Sequence, residues 1–331
     1  MKAVTYAEYG APEVLHVTEL AKPAPRKSEL LIRVHATHVN LGDLLARDFK
    51  HVTPGRFGMP TLFWLFARVA FGWRKPRKMI LGSEFAGEVE AVGAAVTRFK
   101  PGDQVFGYRG EQMGAYAEYL CMPEDGVVAH KPSNLTYEQA ASIPYGAINA
   151  LNVLKKAKVQ PGQTILINGA SGAIGSAAVQ LAKSRFGAAV TGVCSTANVK
   201  LVRSLGADEV IDYTHEDFAQ NGKTYDVIVD IVGKRSFAGC KKSLKPNGIQ
   251  LFVSFKMKQL VQMLWTSIRG GKRVLCVLLP AQAEDLGVVK DLVEDGTIVA
   301  VVDRRFPLER ASEAHRYAEQ EHARGRVAIT V

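Results

Sequence analysis

Gly169, Gly172 and Gly175 stand three residues apart between an apolar run, Ile165 to Ile167, and a segment in which Ala177, Ala178, Leu181 and Ala182 recur at helical spacing. The chemistry such a pattern serves is the binding of a pyrophosphate. A strand buried on both faces turns sharply into a helix, and glycine lets the turn approach the anion with no Cβ in the way. Free N–H groups at the helix start then point at the phosphates. Ser171, Ala173 and Ile174, within the same turn, are assigned to the cofactor with the glycines. Ordinary strand-to-helix turns also contain glycine, so the flanking elements decide. A second apolar run at 189–193, a helix-like stretch at 197–205 and a short strand at 209–212 follow, and βαβαβ is legible. Ser195 and Thr196 end the second strand where an NADH enzyme places an acid for the ribose 2′-hydroxyl. Both can donate to a 2′-phosphate, which favours NADPH over NADH.

The elements that must hold this turn come from a chain of 331 residues, 47% hydrophobic and 22% charged, long enough to bury a large core and form two domains. Cys121, Cys194, Cys240 and Cys276 lie too far apart for a zinc cluster or a disulfide framework, so a reducing compartment fits. The first residues contain no apolar signal region, and the cytoplasm is the expected location. A net charge of +10 suits a nucleic acid, an anionic membrane surface or a polyanionic cofactor equally. No nucleic-acid module is recognisable, and basic residues are spread along the chain apart from Arg74, Lys75, Arg77 and Lys78, so no nucleic-acid partner is expected.

Short strands at 2–6, 15–19, 29–37, 84–92, 104–108 and 115–121 predict a small antiparallel barrel. Residues 54–80 interrupt it with Phe63, Trp64, Phe66, Phe71 and Trp73 beside the basic cluster. This run is too short and too broken by Arg68 to span a bilayer. A lid over the site is favoured over an interfacial membrane contact. Residues 133–156 read as helix, proline-interrupted turn and helix. Strands at 226–232, 249–254 and 274–279 complete a six-stranded parallel sheet, and 256–268 reads as an amphipathic helix. From residue 297 onward the chain returns to pack on the first domain.

The segments Gly10-Ala-Pro-Glu-Val-Leu15, Val39-Asn-Leu-Gly-Asp43, Leu81-Gly-Ser-Glu-Phe-Ala-Gly87, Pro101-Gly-Asp-Gln-Val-Phe-Gly107, Gly114-Ala-Tyr-Ala-Glu118, Gly169-Ala-Ser-Gly-Ala-Ile-Gly175 and Leu205-Gly-Ala-Asp208 occur in the order found in medium-chain dehydrogenases/reductases. The chain resembles that superfamily end to end, and within it the zinc-independent quinone oxidoreductases of the zeta-crystallin-like branch. The resemblance implies an α/β fold: a GroES-like β-barrel catalytic domain, residues 1–128 and 290–331, and a doubly wound Rossmann domain, residues 129–289. It places the site in the cleft.

Where the zinc alcohol dehydrogenases carry metal ligands, this chain has Asn40, Ser83 and the thiol-free Ile143-Pro-Tyr-Gly146, so no catalytic zinc is expected. Without a metal, a bound nicotinamide can still reduce a quinone or an α,β-unsaturated carbonyl. The resemblance puts Asn40, Asp43 and Arg47 beside the nicotinamide and substrate, with Asn40 and Arg47 on a substrate oxygen and Asp43 orienting them. Asn and Asp at this spacing also cap helices. Tyr145 and Asn149 fall near the nicotinamide by the same resemblance, and the turn ending at Gly233 and the strand end at Ser254 face it. Tyr213 matches a tyrosine beside the 2′-phosphate. Asn198 occupies the family's phosphate-binding lysine position, with Lys200 two residues later. The expected partners are a small hydrophobic carbonyl or quinone and a second copy of the chain in a homodimer. The rival reading is a nucleotide-binding interaction protein at a membrane surface.

Overall fold

Ile165, Leu166 and Ile167 are fully buried, as a strand covered on both faces requires. Their strand, Thr164–Asn168, is central in a six-stranded parallel sheet. The order across the sheet is Glu209–Asp212, Ala189–Cys194, Thr164–Asn168, Tyr225–Asp230, Leu244–Phe252 and Arg273–Cys276. The order reverses beside Thr164–Asn168, which is the doubly wound arrangement with its switch point at the glycine turn. Leu166, Val193, Ile228, Phe252 and Val274 from five of these strands share one buried cluster with Phe218 and Phe237.

The second sheet has seven strands. Glu29–Val39 is its spine, pairing antiparallel with Arg326–Thr330, Glu84–Val92 and Tyr119–Pro123. Gln104–Tyr108 and Val128–His130 extend it beyond Glu84–Val92, and Val302–Pro307 closes the other end beside Arg326–Thr330. Leu30, Ile32, Val34, Phe85, Val89 and Val105 alternate inward to make its core. The strands expected at 84–92 and 104–108 form with those bounds. The 115–121 strand starts later, at Tyr119, because the preceding residues run along Leu81 and Gly82, with Tyr116 N donating to Leu81 O at 3.0 Å.

The computed structural model describes residues 1–278, 280–320 and 325–331, so Leu279, at the end of the expected 274–279 strand, lies outside the described residues. Contacts divide the chain into a barrel unit, Met1–Val52, Phe66–Tyr145 and Ala281–Val331, and a nucleotide unit, Thr53–Leu65 and Gly146–Pro280. The expected boundaries at 128/129 and 289/290 thus fall at Tyr145/Gly146 and Pro280/Ala281. The helix Tyr137–Ala141 stays with the barrel because Ala141 O receives His38 Nδ1 at 3.1 Å. Asn134 Nδ2 likewise donates to Val293 O at 2.9 Å, which keeps the helix Ala283–Glu294 in the same unit.

The insertion also departs from expectation. Its first half does not belong to the barrel unit: Lys256 Nζ donates to Pro54 O at 2.8 Å and to Phe57 O, and Phe255 N donates to Gly58 O at 2.9 Å. Met59 packs on the core of the nucleotide unit. From Thr61 to Phe71 the insertion is a helix, and Leu62, Leu65, Phe66 and Val69 on it stand exposed.

Candidate active site

In the nucleotide unit, Gly172 caps the helix Ala173–Ser184 without any side-chain hydrogen bond, so the first N–H groups of that helix are open to an anion. A Cβ on Gly172 would meet only Gly169 O, at 3.5 Å, and otherwise open space. The space above this residue is free for an anion. Gly175 differs: a Cβ there would fall 2.0 Å from Gly169 O, so this glycine lets helix and strand meet. Ser171 and Ala173 are half-buried around the turn, and Ile174 points into the core.

At the neighbouring strand end, Asp230 is fully buried and organises a turn. Its Oδ1 accepts from Asn168 Nδ2 at 2.8 Å and Gly233 N at 3.0 Å, and its Oδ2 from Arg235 N at 3.2 Å. Gly233 has φ +71°, and a Cβ there would strike Ser254 O at 2.7 Å, so the two expected nicotinamide-facing positions do touch. Asn149 lies half-buried on the helix Pro144–Ala157.

The adenosine end is less simple than the sequence suggests. Ser195 Oγ accepts from Asn198 Nδ2 at 3.2 Å, and Asn198 is buried, with its Oδ1 unpartnered. Thr196 Oγ1 lies 3.0 Å from Thr214 Oγ1, whose hydroxyl donates to Asp212 Oδ1 at 2.7 Å. Thr196 and Thr214 together hold the Asp212 carboxyl below the usual range. Asp212, at the end of the third strand, is thus an acid that reading the second strand alone misses. Lys200 and Tyr213 are both exposed.

In the barrel unit, Asn40 caps the helix Leu41–Arg47 in a reciprocal box: Asp43 N donates to Asn40 Oδ1 and Asn40 N to Asp43 Oδ2, each at 3.0 Å. Gly82 N donates to Asp43 Oδ1 at 2.9 Å. Asp43 is fully buried, and burial pushes its carboxyl up to about 7 against the pull of the Asn40 and Gly82 N–H groups. The Asn40 amide donates to Ser83 Oγ, and both residues are buried. Next along the chain, Glu84 accepts from Tyr145 N at 2.7 Å. Burial lifts this carboxyl to about 7, with the Arg326 charge and the Tyr145 N–H drawing it back. Its Oε2 lies 3.0 Å from His38 Nε2, close but out of line for a hydrogen bond. Since His38 Nδ1 faces a carbonyl, that nitrogen carries the ring proton, and burial holds the imidazole neutral.

Arg47 is a correction. It does not reach for a substrate oxygen: its Nε donates to Gly10 O at 3.0 Å, one terminal nitrogen donates to His315 Nδ1 at 3.1 Å, and the other pairs with Glu319. A buried guanidinium must satisfy its donors, and the helix Ala311–Glu319 supplies the acceptors. His315 then donates from Nε2 to the Tyr116 hydroxyl at 3.0 Å, with burial and Arg47 holding its pKa down to about 3. The C-terminal helix lies some 270 residues downstream, and the sequence carries no signal for this pairing.

Residues 205–329 match the family model of zinc-binding dehydrogenases, and residues 26–133 that of the alcohol dehydrogenase GroES-like domain. A chloroplastic NADPH-dependent alkenal/one oxidoreductase of Arabidopsis thaliana is 31% identical over 340 residues, covering 99% of this chain and 79% of that protein. The chain belongs to the medium-chain dehydrogenase/reductase superfamily, in its quinone oxidoreductase branch. A quinone oxidoreductase of Pseudomonas aeruginosa is 32% identical, with 95% of this chain and 94% of that one covered. The solved quinone oxidoreductase of Coxiella burnetii superimposes with a TM-score of 0.85 at 29% identity, covering 100% and 99% of the two chains. As a member of the superfamily the chain is an NAD(P)H-dependent oxidoreductase.

Of the three positions that the resemblance matches to zinc ligands of the alcohol dehydrogenases, two are occupied here by side chains hydrogen-bonded to each other, Asn40 to Ser83. A neutral amide and a hydroxyl are poor zinc ligands beside the usual thiolates and imidazoles. Among the described residues no group of three or more His, Cys, Asp or Glu is arranged to hold a metal.

Proposed function

We propose that this chain is a zinc-independent reductase that uses NADPH to reduce quinones or α,β-unsaturated carbonyls. The observation that carries the reading is the Asn40–Ser83 hydrogen bond, which puts a neutral donor pair where the alcohol dehydrogenases hold a Lewis acid. NADPH, when bound, supplies the hydride. The open helix start at Gly172 fits its pyrophosphate, with Gly169, Ser171, Ala173, Ile174 and Gly175 shaping the cradle. Asn149, Gly233 and Ser254 are the groups assigned to the nicotinamide end.

Because Ser83 Oγ accepts from Asn40, the serine proton is left to donate to a substrate oxygen, and Asp43 acts by fixing Asn40 through the capping box. Ser83→Ala should lower kcat about tenfold or more with NADPH affinity unchanged. The decisive experiment is a panel of quinones, enones and alcohols with NADPH or NADH, followed by the loss of reduced-cofactor absorbance. Alcohol oxidation as the best reaction would overturn the reading.

The preference for NADPH rests on Ser195, Thr196 and Tyr213, helped by Lys200. Ser195→Asp should reverse it by repelling the 2′-phosphate and accepting from the ribose hydroxyls. Asp212→Asn removes a like charge beside Thr196 and should tighten NADPH relative to NADH several-fold. Equal wild-type affinity for the two cofactors would contradict this assignment. A cytoplasmic homodimer completes the proposal; sedimentation equilibrium and cell fractionation test those two parts.

A further inference from the structure

The helix Met257–Arg269 presents two opposite faces. Inward, Leu260 and Met263 pack on the core of the nucleotide unit, and Thr266 Oγ1 accepts from Val274 N at 3.0 Å. Outward, Met257, Val261, Leu264, Trp265 and Ile268 recur at helical spacing and stand exposed; Ile268 is 86% exposed, Leu264 64% and Val261 61%. Lone exposed apolar residues are ordinary, but a full helical stripe of them marks a docking face. Lys256 ties the start of this helix to the carbonyls of Pro54, Phe57 and Met59, which lead into exposed Leu62 and Leu65 of the same unit.

Charge indicates what covers the stripe. Residues 231–283 contain ten Lys or Arg and no Asp or Glu, and residues 49–83 contain seven and none. These two stretches hold seventeen of the 42 basic residues, so the rest of the chain, with 25 basic against 32 acidic, is net negative. All of the positive excess therefore lies in the two segments that carry the exposed apolar helices. Exposed Lys258, Arg269 and Arg273 flank the stripe, and Arg269 lies over the Trp265 ring at 4.3 Å. A second copy is a poor occupant, because a two-fold contact sets this basic patch against itself. A surface that is both anionic and apolar beneath matches both features.

We infer that the nucleotide unit docks on anionic lipid surfaces by laying the outer face of Met257–Arg269 into the headgroup boundary. The helix lies on the membrane rather than across it, and among the described residues no helix is long and apolar enough to span one. The inference stands independently of which substrate is reduced.

The test is co-sedimentation of the full chain with phosphatidylcholine vesicles containing about one phosphatidylglycerol in three lipids, against pure phosphatidylcholine. Wild type should pellet with the anionic vesicles and stay in solution with the neutral ones, more weakly as salt approaches about 1 M. V261S/L264S/I268S should lose about tenfold or more in partitioning, and K258E/R269E several-fold. Neither should change solution kinetics or thermal stability, since these side chains face outward. In a W64F/W73F background, brominated lipid chains should quench Trp265. Failure of wild type to pellet, undiminished pelleting of the serine variant, or absence of quenching overturns the inference. So does a serine variant whose only change is loss of a dimer, which would give the face to a second copy.

Discussion

Gly172 and Glu84 show how differently single residues report function. A Cβ at Gly172 meets only Gly169 O, at an ordinary contact distance of 3.5 Å, so Gly172→Val should fold normally yet weaken NADPH binding several-fold or more, because its β-branched carbons would compete with a pyrophosphate at the helix start. Fluorescence titration with NADPH, beside a thermal melt, checks both halves. Glu84 is a stability group. Its folded pKa of about 7 lies above the unfolded value of 4.5, so between those values the native state holds a proton that the unfolded chain releases. Its contribution is therefore full below about pH 4.5 and is lost as pH rises through about 7. Glu84→Gln keeps an acceptor for Tyr145 N but cannot ionise. Relative to wild type, the variant should gain stability between about pH 5 and pH 8, read as the difference in urea midpoints. His315, held at about 3, loses stability on acidification below its unfolded value and cancels in that difference. A variant that tracks wild type at both pH values would show that Glu84 stays ionised in the fold.

The turn between Thr164–Asn168 and Ala173–Ser184 works as an element because its last glycine allows contact. At Gly175 even a methyl group would sit 2.0 Å from the Gly169 carbonyl oxygen, and backbone cannot yield as a side-chain tip can. Gly175→Ala should therefore destabilise the protein by at least about 2 kcal/mol, whereas Gly172→Ala should leave the melting temperature near wild type. If the two alanine variants melt together, the close approach is not the reason for the glycine. The helix Leu41–Arg47 works by position instead. Its capping box fixes Asn40 against Ser83 at one end, and Arg47 at the other end is locked by Gly10, His315 and Glu319. One short helix thus carries a cap that holds Asn40 against Ser83 and a structural ion pair, which residue type alone does not distinguish.

At the scale of the whole molecule, the zinc-independent reading predicts that exhaustive chelation leaves turnover unchanged and that elemental analysis finds zinc well below one per chain. Stoichiometric zinc required for turnover would reverse it. The sequence by itself determined the two sheets and the glycine turn, because these depend on local period and residue identity. Asn40 and Asp43 were legible as a pair, and their alternative reading as a helix cap is the geometry the structure shows. Only the tertiary structure decided the fate of Arg47, since Gly10, His315 and Glu319 are distant along the chain and any exposed carbonyl or carboxylate could have claimed a guanidinium. It alone brought Asp212 to Thr196 across a parallel sheet and joined residues 53–59 to Lys256. The amphipathic helix expected at 256–268 forms at Met257–Arg269; that Leu260 turns to the core while Leu264 and Ile268 face outward follows from which face the sheet had already covered. Periodicity fixes that a helix has an apolar side, and only packing fixes where that side points.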